Sequence, residues 1–307
     1  MSATTSSATP SSAASSDQHD GTADAADRPD GGDRYIHGVP CWVDAMFPDV
    51  DAARDFYGSL FGWTFEDAMP PEAPGSYLIA AIDGETVAAI GPADDGEVAA
   101  WQTYIRVDDA DVATEAARDA GGTVVVEPMD VFDAGRMSAI ADPQGAVVRT
   151  WEAGTTLGLE RVNAHGAVVF NDLTTTDEVG ALAFYGAVFG WRVLDTGREH
   201  FWALDAYGDH LESRQPGLRD QMAAMGVPGF ENVVATVAEG GDARWGVTFA
   251  VDDIAATVAE ARALGATASE PVDGPFVRFS TVTDPQGVTF VASQFVPENA
   301  PAIAEAL

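Results

Sequence analysis

A repeat inside the chain constrains its fold more than any other feature. The segment from Gly38 to Trp63 returns as the segment from Gly166 to Trp191. Gly38 and Gly166 lie 128 residues apart, and so do Gly62 and Gly190. Phe56-Tyr57-Gly58 is matched by Phe184-Tyr185-Gly186, and His37 and His165 precede the two leading glycines. Each copy reads as an extended segment, an acidic helix start, a helix carrying Phe-Tyr, and a Gly-Trp exit. A repeat of this length is the duplication of a domain, since solenoid repeats run to roughly 20–50 residues.

Alternation within each copy predicts strands. Cys41, Val43, Ala45 and Phe47 form one side of the first strand, with Trp42, Asp44 and Met46 on the other. Asp49 or Asp51 is placed to cap the following helix, whose apolar stripe includes Ala52, Phe56 and Leu60, and Gly62 suits its end. Strands are expected at about 63–66, 76–82 and 86–91. A second module begins at Trp101–Val107, continues in a helix to Gly121-Gly122, and closes with strands near 123–126, 135–141 and 146–152. The second half repeats this plan with strands at about 167–173, 191–195, 201–206, 245–251, 276–283 and 288–295. An extra segment, Pro216–Met225, reads as a short helix between the halves of that copy. The expected division is a disordered, acidic, Ser/Ala-rich tail at 1–34, a first domain at 35–156, a second at 157–297, and a C-terminal tail at 298–307.

Of 307 residues, 46% are hydrophobic, enough for two cored domains. The formal net charge is −34, and all fifteen basic residues are arginine. Such a chain repels nucleic acid and anionic membranes. One cysteine, Cys41, allows no internal disulfide. No apolar run approaches the ~18 residues of a membrane span, and the N-terminus lacks a secretory pattern. The expectation is a cytoplasmic protein.

Several motifs now combine. They are Asp49-x-Asp51 followed by Phe56-Tyr57, Leu60-Phe-Gly-Trp63, Val107-Asp-Asp109 and Asp142-Pro-Gln-Gly145. Val251-Asp-Asp253 and Asp284-Pro-Gln-Gly287 repeat the last two. This set resembles the glyoxalase/bleomycin-resistance/extradiol-dioxygenase superfamily, also called vicinal oxygen chelate (VOC), over roughly residues 35–297. The resemblance implies an α+β fold of two tandem VOC domains. Each would be built from two βαβββ modules forming an eight-stranded curved sheet with helices outside and the site on its concave face. Tandem relatives with a similar Pro-Cys-Trp-Val-Asp first strand are described as glyoxalase-like or, provisionally, as hydroxylases.

Many members of this superfamily hold a divalent metal by His on the first strand, His or Gln on the fifth, and Glu on the eighth. The motifs carry these positions onto Trp42, Gln102 and Arg149, and in the second half onto Phe170, Gly246 and Val291. Only Gln102 is a metal donor in kind. No metal and no other cofactor is therefore expected.

Alternation assigns the concave face. In the first half it carries Trp42, Asp44, Met46, Gln102, Tyr104, Arg106, Val147, Arg149 and Trp151. In the second it carries Phe170, Asp172, Thr174, Gly246, Thr248, Ala250, Thr289, Val291 and Ser293. The first set joins aromatic walls to an acid, two arginines, a phenol and an amide, the ordinary makings of a small-molecule site. Asp44 suits a proton acceptor, with Tyr104 and Arg149 stabilising a developing oxyanion. Trp42, Met46, Gln102, Arg106 and Trp151 suit ligand contact. Asp44 with Arg149 reads equally well as a buried structural ion pair. Phe170, Asp172, Thr248 and Val291 are the second-domain equivalents.

The expected function is binding of a small planar or carbonyl-containing metabolite by the first domain, as a lyase, isomerase or hydroxylase-like enzyme. The alternative is a drug- or antibiotic-sequestering protein. The implied partner is a small molecule, with neither nucleic acid nor membrane, and the chain is expected as a homodimer or as a monomer whose halves imitate a dimer.

Overall fold

The computed structural model describes residues 34–70, 75–94, 99–194 and 201–297. The tails expected at 1–34 and 298–307 lie outside the described residues, save Arg34.

The first half runs β1 (Pro40–Phe47), α1 (Val50–Phe61), β2 (Thr64–Asp67), β3 (Leu78–Ile82), β4 (Glu85–Pro92), β5 (Trp101–Arg106), α2 (Ala110–Asp119), β6 (Thr123–Val131), β7 (Gly135–Ala141) and β8 (Val147–Ala153). The second runs β9 (Val168–Thr175), α3 (Glu178–Phe189), β10 (Arg192–Val193), β11 (Phe201–Ala203), α4 (Asp205–Arg214), α5 (Leu218–Ala224), β12 (Val233–Glu239), β13 (Arg244–Ala250), α6 (Ile254–Ala263), β14 (Thr267–Ala268), β15 (Val272–Gly274), β16 (Val277–Thr283) and β17 (Thr289–Phe295).

The first eight strands form one sheet in the order β2-β3-β4-β1-β5-β8-β7-β6, and the second set forms β10-β11-β12-β9-β13-β17-β16-β14, with β15 on β16. In both sheets the first strand of each module runs parallel to that module's last strand, and the two first strands meet antiparallel. This is the α+β architecture of two tandem VOC domains.

Local chemistry explains the elements. Asp49 Oδ1 accepts from Ala52 N at 3.0 Å, and Asp177 Oδ1 accepts from Gly180 N at 2.9 Å, so each first helix starts at an aspartate cap. Gly62 and Gly190 end these helices with φ of 73° and 77°, which side-chain-bearing residues resist. α1 buries Ala53, Phe56, Tyr57, Leu60 and Phe61.

The second half departs from the expected plan in several places, the unexpected short strands β14 and β15 among them. Residues 205–214 form helix α4 where a strand was expected to continue to 206. The short helix expected at 216–225 is present as α5, but it interrupts the first module, between its third and fourth strands. The fourth strand, β12, follows that insertion and went unassigned in the sequence.

The halves share one aromatic core. Phe61 contacts Phe249 and Phe290 at ring-centroid distances of 5.3 and 5.7 Å, and Trp101 meets Phe249 at 5.0 Å. Polar bonds cross in reciprocal pairs. Tyr57 Oη donates to Asp284 at 3.0 Å, and Tyr185 Oη donates to Asp142 at 3.2 Å. Trp63 Nε1 donates to Gly166 O at 2.8 Å, and Trp191 Nε1 donates to Gly38 O at 2.7 Å. Gln286 accepts from Asp49 N and donates to Asp49 O, while Gln144 does the same for Asp177. Each Asp-Pro-Gln-Gly turn thus secures the first helix of the other half.

Candidate functional site

The strand register assembles the first concave face. β1 and β5 set Trp42 opposite Tyr104 and Asp44 opposite Gln102. β8 sets Arg149 beside Tyr104 and Trp151 beside Arg106. Asp44 is 1% exposed, and Trp42, Tyr104 and Trp151 are also buried. Tyr104 Oη donates to Asp44 Oδ2 at 2.7 Å, and Tyr77 Oη donates to the same oxygen at 2.9 Å. Trp42 Nε1 donates to Tyr77 Oη at 3.0 Å. Burial, reinforced by the carboxylate beside them, pushes both phenols well above the usual tyrosine range, so both remain donors at neutral pH.

Tyr77, just before β3, was not among the residues read from the sequence. It belongs to the other edge of the sheet, and strand alternation around β1 and β5 cannot reveal it. Met46 is its neighbour: a Cβ on Gly91 would lie 3.0 Å from the Met46 sulfur and 3.4 Å from the Tyr77 ring.

Arg149 lies with its guanidinium 5.6 Å from the centroid of the Tyr104 ring. Among the described residues it makes neither a hydrogen bond nor an ion pair, whereas Arg34, Arg54, Arg106, Arg118, Arg136, Arg161, Arg192, Arg219, Arg244, Arg262 and Arg278 hold carboxylates or backbone carbonyls. Gln102 Oε1 is buried without a hydrogen-bond partner. Arg106 differs, donating to the carbonyl oxygens of Val107 and, at 3.4 Å, Trp151. Trp151 is fixed edge-on to Tyr104, with Nε1 donating to Thr156 O at 2.9 Å. Asp44, Tyr104, Tyr77, Trp42, Gln102 and Arg149 therefore gather at one place, while the Arg106 head is committed to backbone.

The second face repeats the acid with other surroundings. Asp172 accepts from Thr236 Oγ1 and, at 2.6 Å, from Thr248 Oγ1. Burial raises its carboxyl pKa, and the two threonine bonds oppose that rise. Phe170 contacts Phe201 and Phe230 at 6.2 and 6.1 Å. Val291 lies beside Thr248, and Gly246 lies opposite Asp172.

Other candidate groups have structural duties. His37 Nδ1 accepts from Asp108 N, and His165 Nδ1 accepts from Asp252 N, so both histidines brace Val-Asp-Asp turns. Arg136 ties Asp111 to Asp130. Cys41 is fully buried, and burial pushes its thiol far above the usual range, away from thiolate reactivity.

The residues at the positions that the resemblance assigns to metal ligands do not fit a divalent metal. Trp42, Gln102 and Arg149 provide one neutral oxygen and one cation, while Phe170, Gly246 and Val291 provide no side-chain donor. Among the described residues no three His, Cys, Asp or Glu side chains come together as a metal-holding group.

Comparison with known proteins agrees with the fold. Residues 42–150 match the model of the Glyoxalase/Bleomycin resistance protein/Dioxygenase superfamily, and residues 167–292 match that of a Glyoxalase-like domain. The chain belongs to this superfamily, as a tandem pair of its domains. It is 39% identical over 273 residues to CFP32 of Mycobacterium tuberculosis, a protein provisionally designated a glyoxylase, covering 86% of this chain and 98% of that one. It is 36% identical over 273 residues to the anthracycline biosynthesis protein DauV of Streptomyces sp. strain C5, covering 84% and 93%. Its fold is similar to that of the Mn(II)-bound glyoxalase from Novosphingobium aromaticivorans, with a TM-score of 0.56, 15% identity, and 84% and 82% of the two chains covered. Among the described residues no helix is long and apolar enough to cross a membrane.

Proposed function

We propose that the first concave face binds a small planar, carbonyl-bearing metabolite and abstracts a proton next to its carbonyl. One observation carries this reading: a carboxylate, Asp44, held at 1% exposure by two phenols under an indole. Asp44 takes the proton and becomes a carboxylic acid, and the electron pair moves onto the ligand oxygen as an enolate. Once Asp44 is protonated, Tyr104 turns its single O–H from that carboxyl to the enolate oxygen, which Arg149 also meets. Trp42 and Trp151 wall the ring, Met46 and Gln102 line its rim, and Arg106 holds the backbone under Trp151. The anthracycline designation of one relative supports a planar, carbonyl-rich ligand. The chain works in the cytoplasm, without nucleic acid, as a monomer whose halves imitate a dimer or as a homodimer of such chains.

The test is deuterium incorporation from solvent into bound planar ketones, followed by NMR. Asp44→Asn is expected to slow exchange by about 10²–10⁴-fold while leaving tryptophan quenching intact. Equal exchange in Asp44→Asn removes the proton-transfer step. Because Asp44 is already bonded by two phenols, a second reading is a fixed wall in a sequestering protein. Saturable quenching with no exchange by the natural chain selects that reading.

A further inference from the structure

We infer that the Arg149 guanidinium stands in the role that a divalent metal plays elsewhere in this superfamily, and that the ligand oxygen it meets is an anion. The inference rests on the reading that the first concave face holds a planar ligand, and it adds the charge of the group bound there.

Arg149 occupies the eighth-strand position that motif alignment assigns to a metal-ligating acid. A cation there opposes metal, and the first-strand position, Trp42, has no lone pair to offer. The cation is also poised. Its approach to the Tyr104 ring orients the guanidinium without consuming its donors. In a chain with 49 acidic residues and 15 arginines, a half-buried arginine with no carboxylate is conspicuous. The acid of the same face, Asp44, is engaged by Tyr77 and Tyr104. The planar fork of donors fits a carboxylate or an enolate flanked by a second oxygen. On the same face, the buried Gln102 oxygen lacks a donor. The matching ligand therefore pairs an oxyanion with a neighbouring hydroxyl or N–H on a flat ring. The second face, with Val291 and Gly246 at the corresponding positions, has neither feature.

Two measurements test this. Tryptophan quenching by 2-naphthoate and by the isosteric neutral 2-naphthamide compares one ring with and without the charge. The carboxylate is expected to bind about tenfold or more tightly, a preference lost in Arg149→Gln and partly kept in Arg149→Lys. Equal binding of the two probes, or a preference unchanged in Arg149→Gln, overturns the inference and leaves the planar-ligand reading standing. No quenching by either probe at millimolar concentration overturns both. Elemental analysis after Mn²⁺ incubation and desalting is expected to find no stoichiometric metal. Stoichiometric Mn²⁺ that disappears in Gln102→Ala overturns the inference by itself.

Discussion

The two concave faces place an aspartate at the same point of the same strand, Asp44 in β1 and Asp172 in β9, and then treat it differently. Asp44 sits under phenols that reach it from β5 and from the approach to β3. Asp172 is reached by short threonine hydroxyls on the two strands that flank β9, β12 and β13. A tyrosine reaches its acceptor from farther away than a threonine can. Arg149 and Gln102 add a cation and an acceptor to the first face, while Val291 and Gly246 add neither. Duplication preserved the acid and changed the side chains that reach it.

The comparison breaks most readily at the acids. Asp44→Ala leaves two buried phenols without an acceptor and should cost about 2–4 kcal/mol, while Asp172→Ala, which abandons two threonine hydroxyls, should cost about 1 kcal/mol. Equal urea midpoints for the two variants would remove the distinction. The caps come next. Gln144 Oε1 accepts from Thr175 Oγ1 and from the Thr176 and Asp177 amides, whereas Gln286 Oε1 accepts from Asp49 N. Gln144→Ala should therefore lose about 1–2 kcal/mol and Gln286→Ala about 1 kcal/mol, read from the same denaturation curves.

A pH effect separates the faces further. Because burial raises the folded pKa of Asp172, the folded state holds that proton more tightly than the unfolded chain does. Its contribution to stability is full below the unfolded value near ~3.9 and is lost as pH rises through the folded value. The melting temperature of Asp172→Asn relative to the natural chain should accordingly improve between pH 4 and pH 7; a flat difference refutes this. The smallest effect belongs to Arg149→Val. With no ion pair to lose, it should change stability by less than about 0.5 kcal/mol, and a larger loss in thermal unfolding would expose a structural duty.

Much of this architecture was legible in the chain. The 128-residue offset, the aspartate caps and the Gly-Trp exits marked both domains, because each reports a local backbone need. Alternation set Trp42, Asp44, Tyr104 and Arg149 on one face because a strand's side chains keep a period of two. Several things escaped, including the two- and three-residue strands β14 and β15, too short to show alternation. β12 follows an insertion that displaced it from its expected spacing. Within α4, Tyr207 and Leu211 give barely one turn of apolar pattern, too little to outweigh the strand before it. Tyr77 reaches Asp44 across the sheet, and no local pattern encodes that contact.

The crossed Asp-Pro-Gln-Gly turns bear on the order in which this chain can finish folding. Tyr57 and the entry of α1 are made more than two hundred residues before Asp284, Gln286 and Phe290, which complete them. Without the second half, the first lacks the acceptor of its Tyr57 phenol, the glutamine at its helix start and the Phe249 and Phe290 side of its aromatic core. The early half is sealed by the late one, so a truncation near residue 283 damages the N-terminal domain at a distance in sequence where no reading of its own residues would place the injury.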